Sequence, residues 1–248
     1  MDLGLHGRAY IVTGASRGLG RATAQALVDD GANVVVSGRT AGSVEQAVTE
    51  LGAGAVGVVA DNADPQAPEL LVERAVSAFG RLDGLLVSVG GPPGGAFSTV
   101  EDAQWRETFE TVFLGAVRIV RAALPVLQPG AAIALVLSSS VRSPIPNLTL
   151  SNAFRPGLAM LVKQLADELG PSGVRAMALL PGRILTERTA ALDAGDPDAR
   201  RRSEAMIPLR RLGEPAEFGR VAAFVLSPAA SYLTGSVVTV DGGMVRAL

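Results

Sequence analysis

The chain has 248 residues, 48% of them hydrophobic and only 4% aromatic, and its formal net charge is −2. These values suit one large α/β domain, do not support a nucleic-acid or membrane partner, and exclude disulfides and cysteine-bound metals because cysteine is absent. Since neither a secretory leader nor a run of about 20 apolar residues is present, we expect a cytoplasmic protein and predict no metal site.

Seven short apolar runs alternate with segments of helical periodicity. This alternation predicts a single domain over residues 1–248 with a Rossmann-type, doubly wound sheet of about seven parallel strands and helices on both faces. Ligands of such sheets bind at the carboxyl ends of the strands. The predicted strands are Ala9 to Val12, Asn33 to Ser37, Ala55 to Val59, Leu85 to Val89, Ile133 to Leu137, Val174 to Leu180 and Ser236 to Val240.

The first predicted strand leads directly into a glycine-rich turn, which is followed by a helical pattern. The turn reads Thr13-Gly14-Ala15-Ser16-Arg17-Gly18-Leu19-Gly20. Backbone N–H groups of such a turn, together with the positive end of the helix dipole, suit a pyrophosphate. The spacing differs from the commonest dinucleotide fingerprint, so the prediction also depends on the flanking strand and helix. The expected cofactor contacts are Gly14, Ser16, Arg17, Gly18, Leu19 and Gly20.

Basic and polar residues follow the second and third predicted strands. Arg39 and Thr40 stand where a carboxylate would bind the ribose 2′-hydroxyl of NAD. Because an acid is missing there, Arg39 and Arg17 are predicted to hold a 2′-phosphate, which favours NADP(H) over NAD(H). Asp61 and Asn62 are predicted to reach the adenine edge, although an ordinary turn explains Asp61 nearly as well.

The fourth predicted strand is followed by a segment rich in glycine and proline, from Gly90 to Gly95. We predict that Ser88, near the carboxyl end of this strand, and Gly90, directly after it, lie beside the cofactor. The glycines either form a rigid turn or allow the backbone to approach a ligand closely.

A polar segment interrupts the α/β pattern after the sixth predicted strand. It contains Gly195, Pro197 and the run Arg200-Arg201-Arg202. We predict a mobile lid or loop near the site at about residues 187–206. The arginine run is interpreted as a solvated helix face, with phosphate binding as the alternative.

The C-terminal part carries the most specific sequence pattern. It consists of Ile207-Pro208-Leu209-Arg210-Arg211-Leu212-Gly213-Glu214-Pro215, Ala230-Ser231-Tyr232-Leu233-Thr234-Gly235 and Val240-Asp241-Gly242-Gly243. With these segments the chain resembles the short-chain dehydrogenase/reductase family over essentially its whole length, and its 3-oxoacyl-carrier-protein-reductase branch in particular. The segment from Pro181 to Thr186 is similar to the family's Pro-Gly-x-x-x-Thr, which contacts the nicotinamide. The resemblance therefore implies cofactor contacts from Pro181, Gly182, Ile184 and Thr186.

The resemblance also implies hydride transfer assisted by a Tyr-x-x-x-Lys pair, a strand serine and a helix asparagine, and here the chain departs from the family. Ser151 stands at the tyrosine position, Arg155 at the lysine position and Val112 at the asparagine position. Neither Tyr10 nor Tyr232 is expected to substitute, because both are interpreted as packing residues.

The family's strand serine has three candidates here, Ser138, Ser139 and Ser140. We predict Ser139, because this choice keeps Leu137 pointing into the sheet. The predicted catalytic residues are therefore Ser139, Ser151 and Arg155.

These residues cannot copy the family's proton relay, because a serine hydroxyl is a much weaker acid than a phenol and arginine keeps its proton. We hypothesise a rebuilt site in which Arg155 binds or polarises the substrate. Pro156 further predicts that the helix begins close to Arg155, so that Ser151 and Arg155 need not share a helix face.

Two functions remain open at this point. The first is an NADP(H)-dependent oxidoreductase acting on a small-molecule or carrier-linked carbonyl or alcohol with an atypical active site. The alternative is a non-redox protein on the same fold, either a cofactor-binding sensor or a lyase or isomerase. The resemblance also implies a homotetramer or homodimer built on the fourth and fifth predicted helices, whose small apolar residues are explained equally well by core packing.

Overall fold

The computed structural model describes residues 2–247, whose strands form one seven-stranded parallel sheet in the order β3-β2-β1-β4-β5-β6-β7. The predicted doubly wound sheet is confirmed. Val, Leu and Ala fill these strands because a parallel sheet is covered on both faces. The strands are β1 (Ala9–Val12), β2 (Asn33–Gly38), β3 (Ala55–Val59), β4 (Leu82–Val87), β5 (Leu127–Val136), β6 (Arg175–Pro181) and β7 (Ser236–Val240).

Helices cover both faces of the sheet. They are α1 (Gly18–Asp29), α2 (Ala41–Leu51), α3 (Ala67–Phe79), α4 (Asp102–Thr108), α5 (Gly115–Ala123), α6 (Thr149–Leu169), α7 (Glu187–Asp193), α8 (Ala199–Met206) and α9 (Pro215–Leu226). A π-helical segment, Phe109–Leu114, joins α4 to α5. One buried apolar cluster includes residues of α3, α5 and α6, and a second, on the opposite face, includes residues of α1 and α9.

Two predicted strands have bounds that are wrong by more than one residue. β4 begins at Leu82 and ends at Val87 rather than running from Leu85 to Val89, and β5 extends back to Leu127. The extension of β5 pairs through an irregularity, because the partner of Leu82 is Leu127 whereas that of Gly84 is Ala132. Hydrophobic pattern alone does not reveal such a bulge.

The predicted start of the fifth helix near Arg155 is also wrong. α6 begins at Thr149, and Pro156 lies inside it. The proline removes only the backbone hydrogen bond to Asn152, while Leu150, Leu158 and other apolar residues of α6 are buried. Packing of the buried face therefore outweighs the local preference of proline, and the helix continues through it.

The segment near residues 187–206 is not a loop but contains the short helices α7 and α8. The arginine run of α8 forms ion pairs: Arg200 with Glu204 at 2.9 Å, Arg201 with Asp198 at 3.1 Å, and Arg202 with Asp196. These pairs support the interpretation of the run as a solvated helix face.

Arg175, the first residue of β6, is buried and anchors the C-terminal part of the chain. Its guanidinium donates to the backbone carbonyls of Val225 at 2.9 Å, Ser227 at 2.8 Å and Ala230 at 3.0 Å. The buried charge is therefore solvated by the carbonyls at and after the end of α9. No helix within residues 2–247 is long and apolar enough to cross a membrane.

Candidate active site

The site begins at the point where β1 and β4 lie side by side and the strand order reverses. Thr13, directly after β1, donates its hydroxyl to the carbonyl of Ser88 at 2.9 Å and accepts from the Ser88 N–H at 3.0 Å. This reciprocal pair fixes the ends of the two strands against each other. In doubly wound sheets this reversal point is where ligands bind.

The glycines of the first turn have two different physical roles. A Cβ on Gly14 would lie 2.5 Å from the Ser88 carbonyl oxygen, and one on Gly20 would lie 2.5 Å from that of Gly14, so both are required by internal packing. Gly18 has a φ of +59°, and a Cβ there would meet only the Thr186 methyl group, at 3.9 Å. The backbone at Gly18 therefore borders open space, as a close approach to pyrophosphate requires.

The residues expected around the adenosine end follow β1, β2 and β3. Arg17 is exposed and forms an ion pair with Glu187 of α7. Arg39 and Thr40 follow β2 and are exposed, and Thr40 precedes the first turn of α2. The Asp61 carboxylate accepts from the Ala63 N–H at 3.0 Å, which supports its turn role.

Three further predicted cofactor residues pack within the protein. A Cβ on Gly38, the last residue of β2, would lie 2.8 Å from Ser16 Oγ. Leu19 packs partly buried against the apolar cluster of α1 and α9. The Asn62 carbonyl faces Gly115, where a Cβ would lie only 2.3 Å from it.

The Pro181 to Thr186 segment forms the opposite side of the site, after β6. The Gly182 N–H donates to the Val240 carbonyl at 2.9 Å, and Ile184 is buried. Thr186 is the N-cap residue of α7, and its hydroxyl oxygen accepts from the Thr189 N–H at 3.2 Å. Pro181 ends β6, so this segment reaches the same edge of the sheet as the glycine turn.

The serine that contacts Ser151 is Ser140, and not Ser139, the residue predicted to be the family's strand serine. Ser140 Oγ lies 3.2 Å from Ser151 Oγ, and both residues are buried. Ser138 Oγ accepts from the Ser140 N–H at 3.1 Å, and Ser139 begins the short 3₁₀ turn that contains Ser140. Leu137 is buried as expected, and the turn that begins at Ser139 brings Ser140 to Ser151.

Arg155 is buried and its guanidinium faces the backbone, so the structure does not support the hypothesis of a substrate-polarising guanidinium. It is buried one helical turn from Ser151, on the same face of α6. Its Nη1 donates to the carbonyls of Val136 at 2.8 Å and Leu137 at 3.0 Å. Burial lowers the pKa of Arg155 to about 10, with a smaller contribution from the nearby positive charge of Arg188. The guanidinium remains protonated at neutral pH and holds the carboxyl end of β5.

A cavity of about 10 Å³ adjoins this guanidinium. Val112, at the family's asparagine position, lines it together with Val89, Leu135 and Leu158. This volume approaches the space that one water molecule needs, but most of the cavity wall is apolar. Where the family has the polar side chains of asparagine and lysine, this chain therefore has apolar side chains and one guanidinium that is hydrogen-bonded to the backbone.

Neither tyrosine contributes a phenol to the site. Tyr10 is buried in β1, and burial raises the pKa of its hydroxyl. Tyr232 was expected to pack but is fully exposed, so its predicted role is wrong. Among residues 2–247, no group of three or more His, Asp or Glu side chains is placed to hold a metal ion.

Sequence reasoning missed Arg188, the second residue of α7. Its Nη2 donates to the Pro92 carbonyl at 2.6 Å, and a Cβ on Gly91 would lie 2.9 Å from its Nε. A Cβ on Gly90, by contrast, would meet nothing within 4 Å. The segment after β4 is thus contacted by a cation from α7 and is open beside it. Arg188 lies within a polar, arginine-rich stretch of sequence that gave no signal to single it out.

The chain is similar to known proteins over nearly its whole length. A model of the family described as enoyl-(acyl carrier protein) reductase matches residues 14–245. L-rhamnose 1-dehydrogenase (NAD(P)(+)) of Azotobacter vinelandii is 36% identical over 248 residues, with 96% of each chain covered. The 3-oxoacyl-[acyl-carrier-protein] reductase of Salmonella typhimurium is 31% identical over 244 residues, covering 98% of this chain and 99% of its own. The structure of L-sorbose reductase from Gluconobacter frateurii, complexed with NADPH and L-sorbose, matches all of both chains with a TM-score of 0.93 at 28% identity.

Proposed function

This chain belongs to the short-chain dehydrogenase/reductase family of oxidoreductases, and on that premise we propose that it uses NADP(H) to interconvert a carbonyl and an alcohol. The observation that carries the proposal is the open backbone at Gly18. Its positive φ and the open space in front of it suit a dinucleotide whose pyrophosphate lies at the start of α1. When bound, the reduced nicotinamide supplies the hydride for the carbonyl carbon.

The preference for NADP(H) is the finer part of the proposal. Arg17 and Arg39 are predicted to lie at the 2′ side of the ribose, and residues 39–44, directly after β2, include no carboxylate to repel a phosphate. The rhamnose dehydrogenase relative is named for both cofactors, and the sorbose reductase structure contains NADPH. Two exposed arginines at this position favour the phosphorylated cofactor.

The atypical chemistry would depend on the Ser140 and Ser151 hydroxyls. In the reductive direction, Ser151 would donate a hydrogen bond to the substrate oxygen as that oxygen gains negative charge, and Ser140 would orient the Ser151 hydroxyl. The proton that completes the alcohol would come from water, because no phenol is available in the site. Loss of a positioned general acid costs about 10²- to 10⁴-fold in rate, so we expect slow turnover.

The buried position of Arg155 favours one alternative, a non-redox protein that binds the dinucleotide. The family's lysine holds the ribose and tunes the tyrosine, whereas Arg155 is occupied by Val136 and Leu137. A cofactor-binding sensor, or a lyase or isomerase, would retain the Gly18 opening and lose the relay in this way.

Calorimetric titration of the purified protein with NADPH and with NADH tests the cofactor. We expect micromolar binding that favours NADPH, and an Arg17→Ser, Arg39→Ser double variant that loses this preference but still binds NADH. Arg106→Ser removes an exposed arginine of α4 and serves as the matched control. Failure to bind either dinucleotide would overturn both the oxidoreductase and the sensor.

Turnover separates the two remaining functions. Stoichiometric NADPH oxidation with a panel of small carbonyl compounds and acyl-carrier thioesters would support the oxidoreductase. Tight NADPH binding without oxidation by any member of the panel would support the non-redox alternative.

Self-association is a further proposal, as a homodimer or homotetramer. The small residues Ala116, Ala123 and Ala159 belong to the core and leave no room for a partner. Phe109, before α5, and Met160 on α6 are exposed and offer apolar surface instead. Light scattering during gel filtration would give the mass, and a monomer at micromolar concentration would contradict the proposal.

A further inference from the structure

Arg188 places a partly exposed positive charge against the glycine-rich segment after β4, next to the predicted cofactor residue Gly90. The residue is exposed overall, and its guanidinium lies against Gly91 and donates to the Pro92 carbonyl. The glycine at position 91 makes room for it, because a Cβ there would lie 2.9 to 3.1 Å from three guanidinium atoms. An arginine has five N–H donors, and one backbone carbonyl satisfies only one of them.

Within residues 2–247, no carboxylate is paired with Arg188 or with Arg155. Each donates to backbone carbonyls alone. Burial lowers the pKa of Arg188, and its charge in turn contributes to the lowered pKa of Arg155. Two cations therefore share this edge of the sheet without a compensating acid, whereas nearby Arg17 and Arg183 are each paired with one.

We propose that Arg188 binds the substrate and that the substrate is a carbonyl compound or alcohol bearing a carboxylate. This inference rests on the proposed oxidoreductase function and adds the substrate class. The carboxylate would accept from the free N–H donors of Arg188 in the bidentate manner that guanidinium favours. Its negative charge would offset the repulsion between Arg188 and Arg155, which a neutral sugar or ester would leave in place. Arg188 of α7 would thus select the substrate, whereas Ser140 and Ser151 would act on its carbonyl oxygen.

The test compares acetoacetate with its methyl ester, which differ in this one charge. With NADPH in excess, we expect wild-type kcat/KM to be about 10- to 100-fold higher for the acid. Arg188→Gln should abolish that preference by lowering kcat/KM for the acid to about the value for the ester. Arg188→Lys should retain part of it, since a single cation can still pair with the carboxylate.

Two controls make the result specific to Arg188. Arg200→Gln removes an exposed arginine of α8 that is paired with Glu204, and it should leave the preference for the acid unchanged. Calorimetry should show the same NADPH affinity, within about twofold, for Arg188→Gln and wild type. A large loss of NADPH affinity would overturn the proposal by assigning Arg188 to the cofactor phosphates.

The outcomes also distinguish this proposal from the proposed function. Oxidation of NADPH with equal kcat/KM for acid and ester would overturn the carboxylate and leave the oxidoreductase intact. If neither compound oxidises NADPH, the oxidoreductase fails for this pair, and calorimetry decides the remaining question. Binding of acetoacetate to the NADPH-loaded wild type but not to Arg188→Gln would then support the carboxylate site, and equal affinities would overturn it.

Discussion

Ser140 Oγ lies 3.2 Å from Ser151 Oγ, so two buried hydroxyls meet at the residue that replaces the family's tyrosine. If this pair stabilises charge on the substrate oxygen, Ser151→Ala should lower kcat about 10²-fold with little change in KM. Ser140→Ala should lower kcat less, because it acts through Ser151. Steady-state rates of NADPH oxidation would measure both effects.

Ser139→Ala is the matched control for this pair. The substitution removes the same hydroxyl one residue away, outside the contact with Ser151, and should change kcat within about twofold. A large effect at Ser139 with none at Ser140 would reverse the assignment made from the structure.

Replacement of Arg155 should affect stability before it affects substrate binding. Arg155→Met leaves the carbonyls of Val136 and Leu137 without their donor, although it also removes a buried charge. We expect the free energy of unfolding to fall by about 1–3 kcal/mol, as measured by urea denaturation. Arg155→Lys should lose less, because its ammonium can still donate to one carbonyl.

Arg106→Met, on the exposed side of α4, provides the comparison for Arg155→Met and should leave stability within about 0.5 kcal/mol of wild type. Unchanged stability of Arg155→Met combined with a raised KM for substrate would instead assign Arg155 to substrate binding.

Glu187 forms an ion pair with Arg17, the residue that we propose binds the 2′-phosphate, so the carboxylate would compete with that phosphate for the guanidinium. Glu187→Gln should therefore raise the affinity for NADPH about two- to fivefold and leave that for NADH unchanged, as expected for an exposed pair. Calorimetric titration would measure both affinities. Glu204→Gln, which breaks a pair within α8, is the control. A loss of NADPH affinity in Glu187→Gln would show that Glu187 itself supports the cofactor.

Glu217 predicts a specific acid sensitivity. Arg211 donates to both of its carboxylate oxygens, at 2.6 and 2.7 Å, and with the Glu214 N–H it lowers the pKa of Glu217 from 4.5 to about 2. Because the folded protein holds this proton more weakly than the unfolded chain, the resulting stability is present above pH 4.5 and is lost between about pH 4.5 and 2.

Urea denaturation over this pH range would check the effect by comparing wild type with Glu217→Gln. Glutamine keeps the side-chain acceptor of the capping box but does not titrate. The wild-type advantage in free energy of unfolding should shrink as the pH falls. A difference that stays constant from pH 6 to pH 2 would contradict the assignment.

The sheet could be predicted from sequence because each strand is an apolar run bounded by turn residues, a local signal that burial on both faces imposes. The glycine turn was also predictable. A side chain at Gly14 or Gly20 would collide with a neighbouring carbonyl, so packing requires glycine at both positions and leaves a recognisable pattern in the sequence. The start of α6 and the serine that contacts Ser151 could not be predicted, because both depend on tertiary packing. The continuation of α6 through Pro156 depends on its buried face, and the choice of Ser140 depends on a turn after β5 that periodicity does not encode.

Arg188 could not be predicted because a lone arginine in a polar segment carries no information about its partner. Its proximity to Gly91 joins two segments nearly 100 residues apart and depends on how α7 lies over the sheet. The resemblance to a family that uses Tyr and Lys predicts a functional cation at position 155. In the structure, the Arg155 guanidinium faces the backbone instead.

The carbonyls that solvate Arg175 have a consequence for synthesis on the ribosome. They lie 50 to 55 residues further along the chain, from Val225 to Ala230. At about 5–20 residues per second, they are translated roughly 3–10 s after Arg175 itself. During that interval the nascent chain must keep this guanidinium in water, so β6 cannot take its buried place in the sheet. The full hydrogen bonding of Arg175 in the sheet therefore depends on a segment that is translated after β6 itself.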